Sequence, residues 1–289
     1  MNKSLPIAGL SLLLFFLLIP LGGYGLGHPV KFTVANLAYC GFTYYLLTRQ
    51  QRQATWKISC LILAPVFLLY FPVHASDLRG SLIAVPSTLA HIIGVLAGIL
   101  LTRLSNRAKI AFLIPFLASS VWITTVGYEL WKSKISFGTY TGVVDEPMPA
   151  FLLKNSNGQS INRASMAGKF IVLDFWNTGC GVCFKKFPKL EHYYARYKYN
   201  PNVKFFAVNS PLRRDTVGQA AATIQKYGYT FPVLYAENAV VNSAFNVHSF
   251  PTVIIIDSAQ RIVYRGNLDG IDAVLSRVET GDNNHLANR

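Results

Sequence analysis

Acidic residues are scarce in this chain. Thirteen Asp and Glu stand against 27 Lys and Arg in 289 residues, and the four charged types together make up only 14%. A chain that is 52% hydrophobic, with a mean hydropathy of +0.32, is too apolar to be purely soluble and points to membrane spans joined to a soluble part. Basic runs with interleaved aromatics are missing, which argues against nucleic-acid binding despite a formal charge of +14. Residues 1–135 hold 11 Lys and Arg against 2 acidic residues, and 136–289 hold 16 against 11. Most of the excess therefore lies in the apolar half, where it reports topology. Cysteine is also sparse, with four residues, of which Cys40 and Cys60 lie in apolar segments and Cys180 and Cys183 form one Cys-x-x-Cys. Half of a zinc site is the competing reading of that pair, but two more Cys or His at usable spacing are lacking, so no metal is expected.

What is present in the first half is a series of long apolar stretches. Residues 5–24, 32–48, 58–74, 81–101 and 110–128 are expected to be five spans of a helical membrane domain covering 1–131. The first has a long apolar core and no small-residue cleavage pattern, so it reads as an uncleaved span rather than a signal peptide. With the N-terminus in the cytoplasm, Lys3, Arg49, Arg52, Lys57, Arg103, Arg107 and Lys109 fall on the cytoplasmic side, and Lys31 and Arg79 fall in the opposite loops. Such asymmetry fits the positive-inside rule, and an odd span count places the second half outside the cytoplasm. Trp122, Tyr128 and Trp131 fit an interfacial belt or simple packing. Cys40 and Cys60 have two readings, an intramembrane electron relay or small buried hydrophobes, and their expected depths differ too much for a direct disulfide. His91 is either a ligand to haem or quinone, or a packed, hydrogen-bonded intramembrane histidine.

The second half is organised around the stretch KFIVLDFWNTGCGVCFKKFP, Lys169 to Pro188. Phe170 to Trp176 is apolar except for Asp174 and reads as a central strand covered on both faces. Asn177, Thr178 and Gly179 turn the chain into a helix that begins at the two cysteines and carries Lys185, Lys186 and Lys189. The helix dipole and the unpaired first-turn N–H groups stabilise a thiolate there, so Cys180 is expected to attack and Cys183 to resolve the mixed disulfide. Asp174, buried in an apolar strand, should have a raised pKa suited to proton transfer, or else merely accepts hydrogen bonds. Around this unit the sequence predicts a linker over 132–143 and a hairpin about Asn155-Ser156-Asn157-Gly158, then a strand over 203–209 and a helix over 214–227. A strand over 231–235, a helix over 238–245, strands over 253–256 and 261–265, a helix over 270–279 and a tail over 282–289 follow. Pro188 is expected to kink its helix, and Pro251, ahead of an apolar strand, implies a special turn that a cis bond explains.

This order of elements, with Cys-x-x-Cys opening a helix and Phe250-Pro251-Thr252 before a core strand, resembles a thioredoxin-fold domain over about 144–281, a central mixed sheet flanked by helices. The N-terminal hairpin and the inserted helix and strand resemble the TlpA-like, membrane-anchored branch that includes the ResA-type reductases of cytochrome c maturation. The resemblance implies that Cys180 is the nucleophile, Cys183 the resolving thiol and Asp174 the proton carrier. It also implies a cis-Pro251 lining the substrate groove beside Phe250, Gly179 and Trp176, and no cofactor beyond the redox-active disulfide. The implied protein sits in the bacterial inner membrane, exchanges disulfides with protein thiols outside the cytoplasm, and needs a membrane electron donor. Gly179 replaces the usual Trp, and Lys185 and Lys186 stand where ResA-like members carry an acidic residue. Those lysines either stabilise the thiolate, making the couple more oxidising, or form a solvated helix face. A membrane assembly protein using the domain as a redox switch, and a disulfide donor or isomerase, are the rival readings.

Overall fold

The computed structural model describes residues 4–22, 27–50, 54–216 and 218–280. The last two residues of the predicted first span, Lys3, Arg52 and the expected tail lie outside the described residues. The chain divides into two compact units, Met1–Lys132 and Ser133–Arg289.

The first unit is helical: α1 (Ser4–Leu18), α2 (Gly27–Arg49), α3 (Thr55–Ser76), the short α4 (Leu78–Ser81), α5 (Val85–Arg103), α6 (Asn106–Trp122) and the start of α7 (Tyr128–Phe137). A π-helical turn, Ile123–Gly127, joins α6 and α7 into one 32-residue helix. Thr55–Ser76, Leu82–Arg103 and Asn106–Phe137 are long and apolar enough to cross a membrane, while Pro6–Leu18 is apolar but shorter. Within the expected linker over 132–143, the helix runs on to Phe137, residues 138–142 form bends and a strand begins at Val143.

Lys31 corrects the loop assignment made from the sequence. It lies within α2, 6% exposed, and its ammonium donates to the Tyr70 hydroxyl (2.5 Å). The long aliphatic stem suits an apolar bundle as long as the charged head finds a partner, and a tyrosine from α3 supplies it. His91 is fully buried among rings, with centroids 4.7 Å from Tyr39, 5.9 Å from Tyr70 and 6.1 Å from Phe15, and its Nδ1 donates to the Thr88 carbonyl (3.2 Å). Trp131 and Tyr128 donate to the carbonyls of Leu82 (3.0 Å) and Ile83 (3.1 Å). Cys40 is a buried and Cys60 an exposed free thiol.

Gly94 and Gly98 on α5 let it approach α2 closely. A Cβ built on Gly94 would stand 2.4 Å from the Asn36 carbonyl oxygen, and one on Gly98 2.6 Å from that of Cys40. Small residues four apart are how apolar helices pack without a hydrophobic driving force between them. Backbone carbonyls cannot step aside as flexible side chains do. Gly94→Leu is therefore expected to separate the pair at a cost of about 1–3 kcal/mol or more, read as a lower melting temperature of the detergent-solubilised chain.

In the second unit eight strands form one sheet: β1 (Val143–Pro147), β2 (Leu152–Asn155), β3 (Ser160–Asn162), β4 (Phe170–Trp176), β5 (Val203–Asn209), β6 (Val233–Tyr235), β7 (Thr252–Ile256) and β8 (Arg261–Gly266), in the order β1-β8-β7-β4-β5-β6-β2-β3. β4 is parallel to β5 and antiparallel to β7, with Asp174 opposite Ala207 and Val253. Its alternating side chains feed two cores. Val172 and Trp176 meet α8 (Gly181–Tyr197), whereas Ile171, Leu173 and Phe175 meet the opposite layer. Fully burying each of these large side chains is worth roughly 1.5–3 kcal/mol, which explains why β4 reads as a nearly unbroken apolar run. On α8 the buried positions Cys183, Phe187, Leu190 and Tyr197 follow helical spacing. The helix continues through Pro188, which sits on the exposed face, where the carbonyl left without a partner can meet water.

The predicted hairpin forms as β2 and β3. The helix expected over 214–227 is shorter, α9 (Gln219–Lys226), because Asp215 is engaged in side-chain bonding and Gly218 takes a left-handed φ of +80° ahead of the helix. Short α10 (Val240–Ala244) and terminal α11 (Asp272–Thr280) complete the unit.

Candidate active site

The redox pair stands where β4 passes into α8. Asn177 shapes the turn: its side-chain oxygen accepts from Gly179 N–H (3.0 Å) and its carbonyl accepts from Cys180 N–H (3.1 Å). Cys180 is the N-cap of α8, and its sulfur accepts from Cys183 N–H (3.1 Å). The side chain is thus held against one of the orphan first-turn donors that stabilise a negative sulfur. The two cysteines form a disulfide, with Cα atoms 5.3 Å apart. Their exposure is unequal, Cys180 being half-buried and Cys183 fully buried. Of the two, Cys180 is the one open to solvent.

Behind the pair lies Asp174, 1% exposed, neither of whose carboxylate oxygens has a hydrogen-bond partner among the described residues. Its alternation with Val172 and Trp176 turns it to the α8 side of the sheet, the side that holds Cys183. Desolvation alone pushes its pKa up to about 8. A carboxyl that titrates near neutrality inside the apolar α8 side of the sheet can take up or give up a proton there.

The Phe250–Pro251 bond is cis, and Phe250 packs, like Cys180, against the core cluster beneath α8. Trp176 departs from the expected groove position. It is fully buried, its indole edge-on to Phe184 (5.9 Å) and Phe187 (5.2 Å), so it supports α8 from below. Lys185 is exposed, whereas Lys186 and Lys189 (3.0 Å) share the carboxylate of Asp269. These bonds hold Asp269 below the usual carboxylate range and offset part of the positive charge on this helix.

Sequence reasoning missed the loop that follows β5. Thr178, two residues before Cys180, donates to Asp215 (2.6 Å), and the same carboxylate accepts from Leu212 N–H (3.0 Å). This loop occupies the place beside Gly179. A Cβ there would meet Leu212 Cδ1 at 3.0 Å and Arg214 Nη2 at 3.1 Å. Gly179→Trp is expected to push the ends of the Leu212 and Arg214 side chains aside and to destabilise the domain only slightly, by about 1 kcal/mol or less, measured as a small fall in the denaturation midpoint.

Residues 143–280 match the Redoxin family. Over 147 residues the chain is 31% identical to the thioredoxin-like protein YneN of Bacillus subtilis, spanning 49% of this chain and 83% of that protein. The chain belongs to the redoxin family. Its redoxin domain is 29% identical over 147 residues to thiol-disulfide oxidoreductase ResA of B. subtilis, covering 50% of this chain and 77% of that one. A thio-disulfide isomerase from Thermus thermophilus aligns at 24% identity with a TM-score of 0.40, over 47% of this chain and 96% of its own. The redoxin domain is a thiol–disulfide oxidoreductase of the thioredoxin/ResA type, joined to a helical region with three long apolar helices among the described residues.

Proposed function

We propose that this redoxin reduces protein disulfides outside the cytoplasm while anchored by five spans, a role of the kind that prepares haem-attachment cysteines for cytochrome c maturation. The observation that carries the reading is the unequal exposure of the pair, with Cys180 reachable at the α8 N-terminus and Cys183 buried below it. In the reduced protein the Cys180 thiolate attacks one sulfur of a substrate disulfide, and the other substrate sulfur leaves as a thiolate that takes its proton from water. Asp174 takes the proton of Cys183, whose thiolate then attacks Cys180 sulfur and releases the second substrate thiol. The protein ends as the Cys180–Cys183 disulfide, having given two electrons to the substrate. A dithiol donor in the membrane must return them, because cytoplasmic thiol pools do not reach the far side.

The basic residues at the helix ends that face the cytoplasm in this arrangement, Arg49, Lys57, Arg103, Arg107 and Lys109, support the orientation. The test is the equilibrium potential of the Cys180/Cys183 couple in the solubilised full chain, resolved by alkylation of those two cysteines in defined thiol buffers. A value near or below about −270 mV is expected. One near −120 mV, roughly that of a strong disulfide donor, would sink the proposed direction.

A further inference from the structure

A cleft of about 560 Å³ lies between the Asn155–Gly158 turn, the C-terminal ends of β5 and β6, and the first turn of α9. That volume is in the range of sites that hold a bound group. Its walls include Pro211, Ala221 and the Tyr235 ring, and its floor includes Asn209. Asn209 is 4% exposed, and its Nδ2 has no acceptor among the described residues. An amide donor buried in this way stabilises whatever brings it an oxygen. A second source of donors is the first turn of α9, whose N-cap Gly218 offers no side chain, although the Gln219 N–H is already given to the Thr216 carbonyl (3.1 Å).

The charges at the cleft are already engaged. Glu237 pairs with Lys154 (2.7 Å), and Asp215 accepts from Thr178 and Leu212. What remains unspent is apolar wall and donor capacity. The fitting ligand is uncharged, with an apolar body and an acceptor oxygen, as in an apolar side chain beside its own peptide carbonyl. Asp215, which lines the cleft, is bonded to Thr178, and Thr178 is two residues from Cys180, at most about 7 Å of chain. A polypeptide joined to Cys180 can lay a residue near its target cysteine into the cleft.

We infer that this cleft is a second recognition site for the polypeptide substrate, seating an apolar residue a few positions from the target cysteine, with its peptide carbonyl on Asn209 Nδ2 and the first turn of α9. The inference rests on the oxidoreductase reading above and adds substrate selection to it.

The test uses the reduced full chain in detergent. The probes are peptides whose single cysteine is a mixed disulfide with thionitrobenzoate, differing only in Leu, Gly or Asp at neighbouring positions. N-acetylcysteine amide carrying the same leaving group is the small reference. Attack by Cys180 on the peptide sulfur releases thionitrobenzoate, which is read by absorbance. The Leu peptides are expected to react about tenfold faster than the Gly peptides relative to the reference. Ala221→Trp, which fills the cleft, and Asn209→Ala, which removes the donor, are each expected to collapse that ratio. Where Ala221→Trp does not fold, Asn209→Ala decides. Equal rates for Leu and Gly, a preference for Asp, or a Leu preference that survives the substitution overturns the inference and leaves the oxidoreductase reading standing. No release from the small reference overturns that reading and the inference with it.

Discussion

Cys180→Ser is expected to abolish disulfide exchange, whereas Cys183→Ser is expected to keep the first attack and stop at a mixed disulfide with the substrate. The asymmetry follows from burial and capping. Cys180 is half-buried, caps α8 and accepts the Cys183 N–H, so its sulfur is the less covered of the two and sits against a first-turn donor, the setting that favours a thiolate. Serine keeps the cap but supplies an alkoxide of far higher pKa, and turnover should fall by orders of magnitude. Cys183 is fully buried and bonded to Cys180. Its loss leaves nothing to attack the mixed disulfide, which then persists until an outside thiol arrives. Non-reducing electrophoresis of cells expressing each variant checks this: covalent adducts should accumulate with Cys183→Ser and be missing with Cys180→Ser. Equal adduct levels would remove the assignment of roles. A protein that serves only as a binding scaffold would keep its phenotype with both cysteines replaced.

Asp174→Asn is expected to slow exchange and to stabilise the domain together, a combination typical of a buried group kept for chemistry. The carboxyl has an ordinary value of 3.8 and is pushed up to about 8 by desolvation. The folded domain therefore binds this proton more tightly than the unfolded chain does. Stability contributed at this position is full below about pH 4, falls by about 1.4 kcal/mol per unit as the pH rises, and levels off above about pH 8. The total is of order 5 kcal/mol at most. Asn removes the ionisation and keeps the shape, so the denaturation midpoint of the variant should lose this slope and exceed the parent's at pH 8. Loss of the proton carrier should slow the resolving step by about 10² at neutral pH. If the parent shows no fall in stability between pH 4 and 8, Asp174 is not a buried ionising group.

The β4–α8 unit was legible because several local signals agree there: a doubly buried strand, turn formers, two cysteines at helix spacing and apolar positions that continue that spacing. The hairpin at Asn155–Gly158 and the turn before β7 were legible for the same reason, since their turn residues have few alternatives. Trp176 was misplaced because alternation along a strand says which face a side chain takes but not how deeply the next helix covers it. Lys31 was misplaced because a charge in a weakly apolar stretch reads as a loop until Tyr70, 39 residues away, supplies its partner. The Thr178–Asp215 bond and the sharing of Asp269 by Lys186 and Lys189 join residues far apart in sequence, and no local pattern announces them. Gly94-x-x-x-Gly98 was readable, being a small-residue pair four apart in an apolar helix, a signal the span count passed over.

The strand order also fixes when the domain can be completed as the chain leaves the ribosome. β1, the first strand made, pairs only with β8, and central β4 lacks one neighbour until β7 has emerged. A nascent chain ending before Thr252 carries β4 with a bare, apolar edge, the kind of surface on which unfinished chains associate. Truncation that removes β7 with β8 should therefore yield aggregation or degradation rather than a smaller working domain, although the cysteines and their helix would be intact.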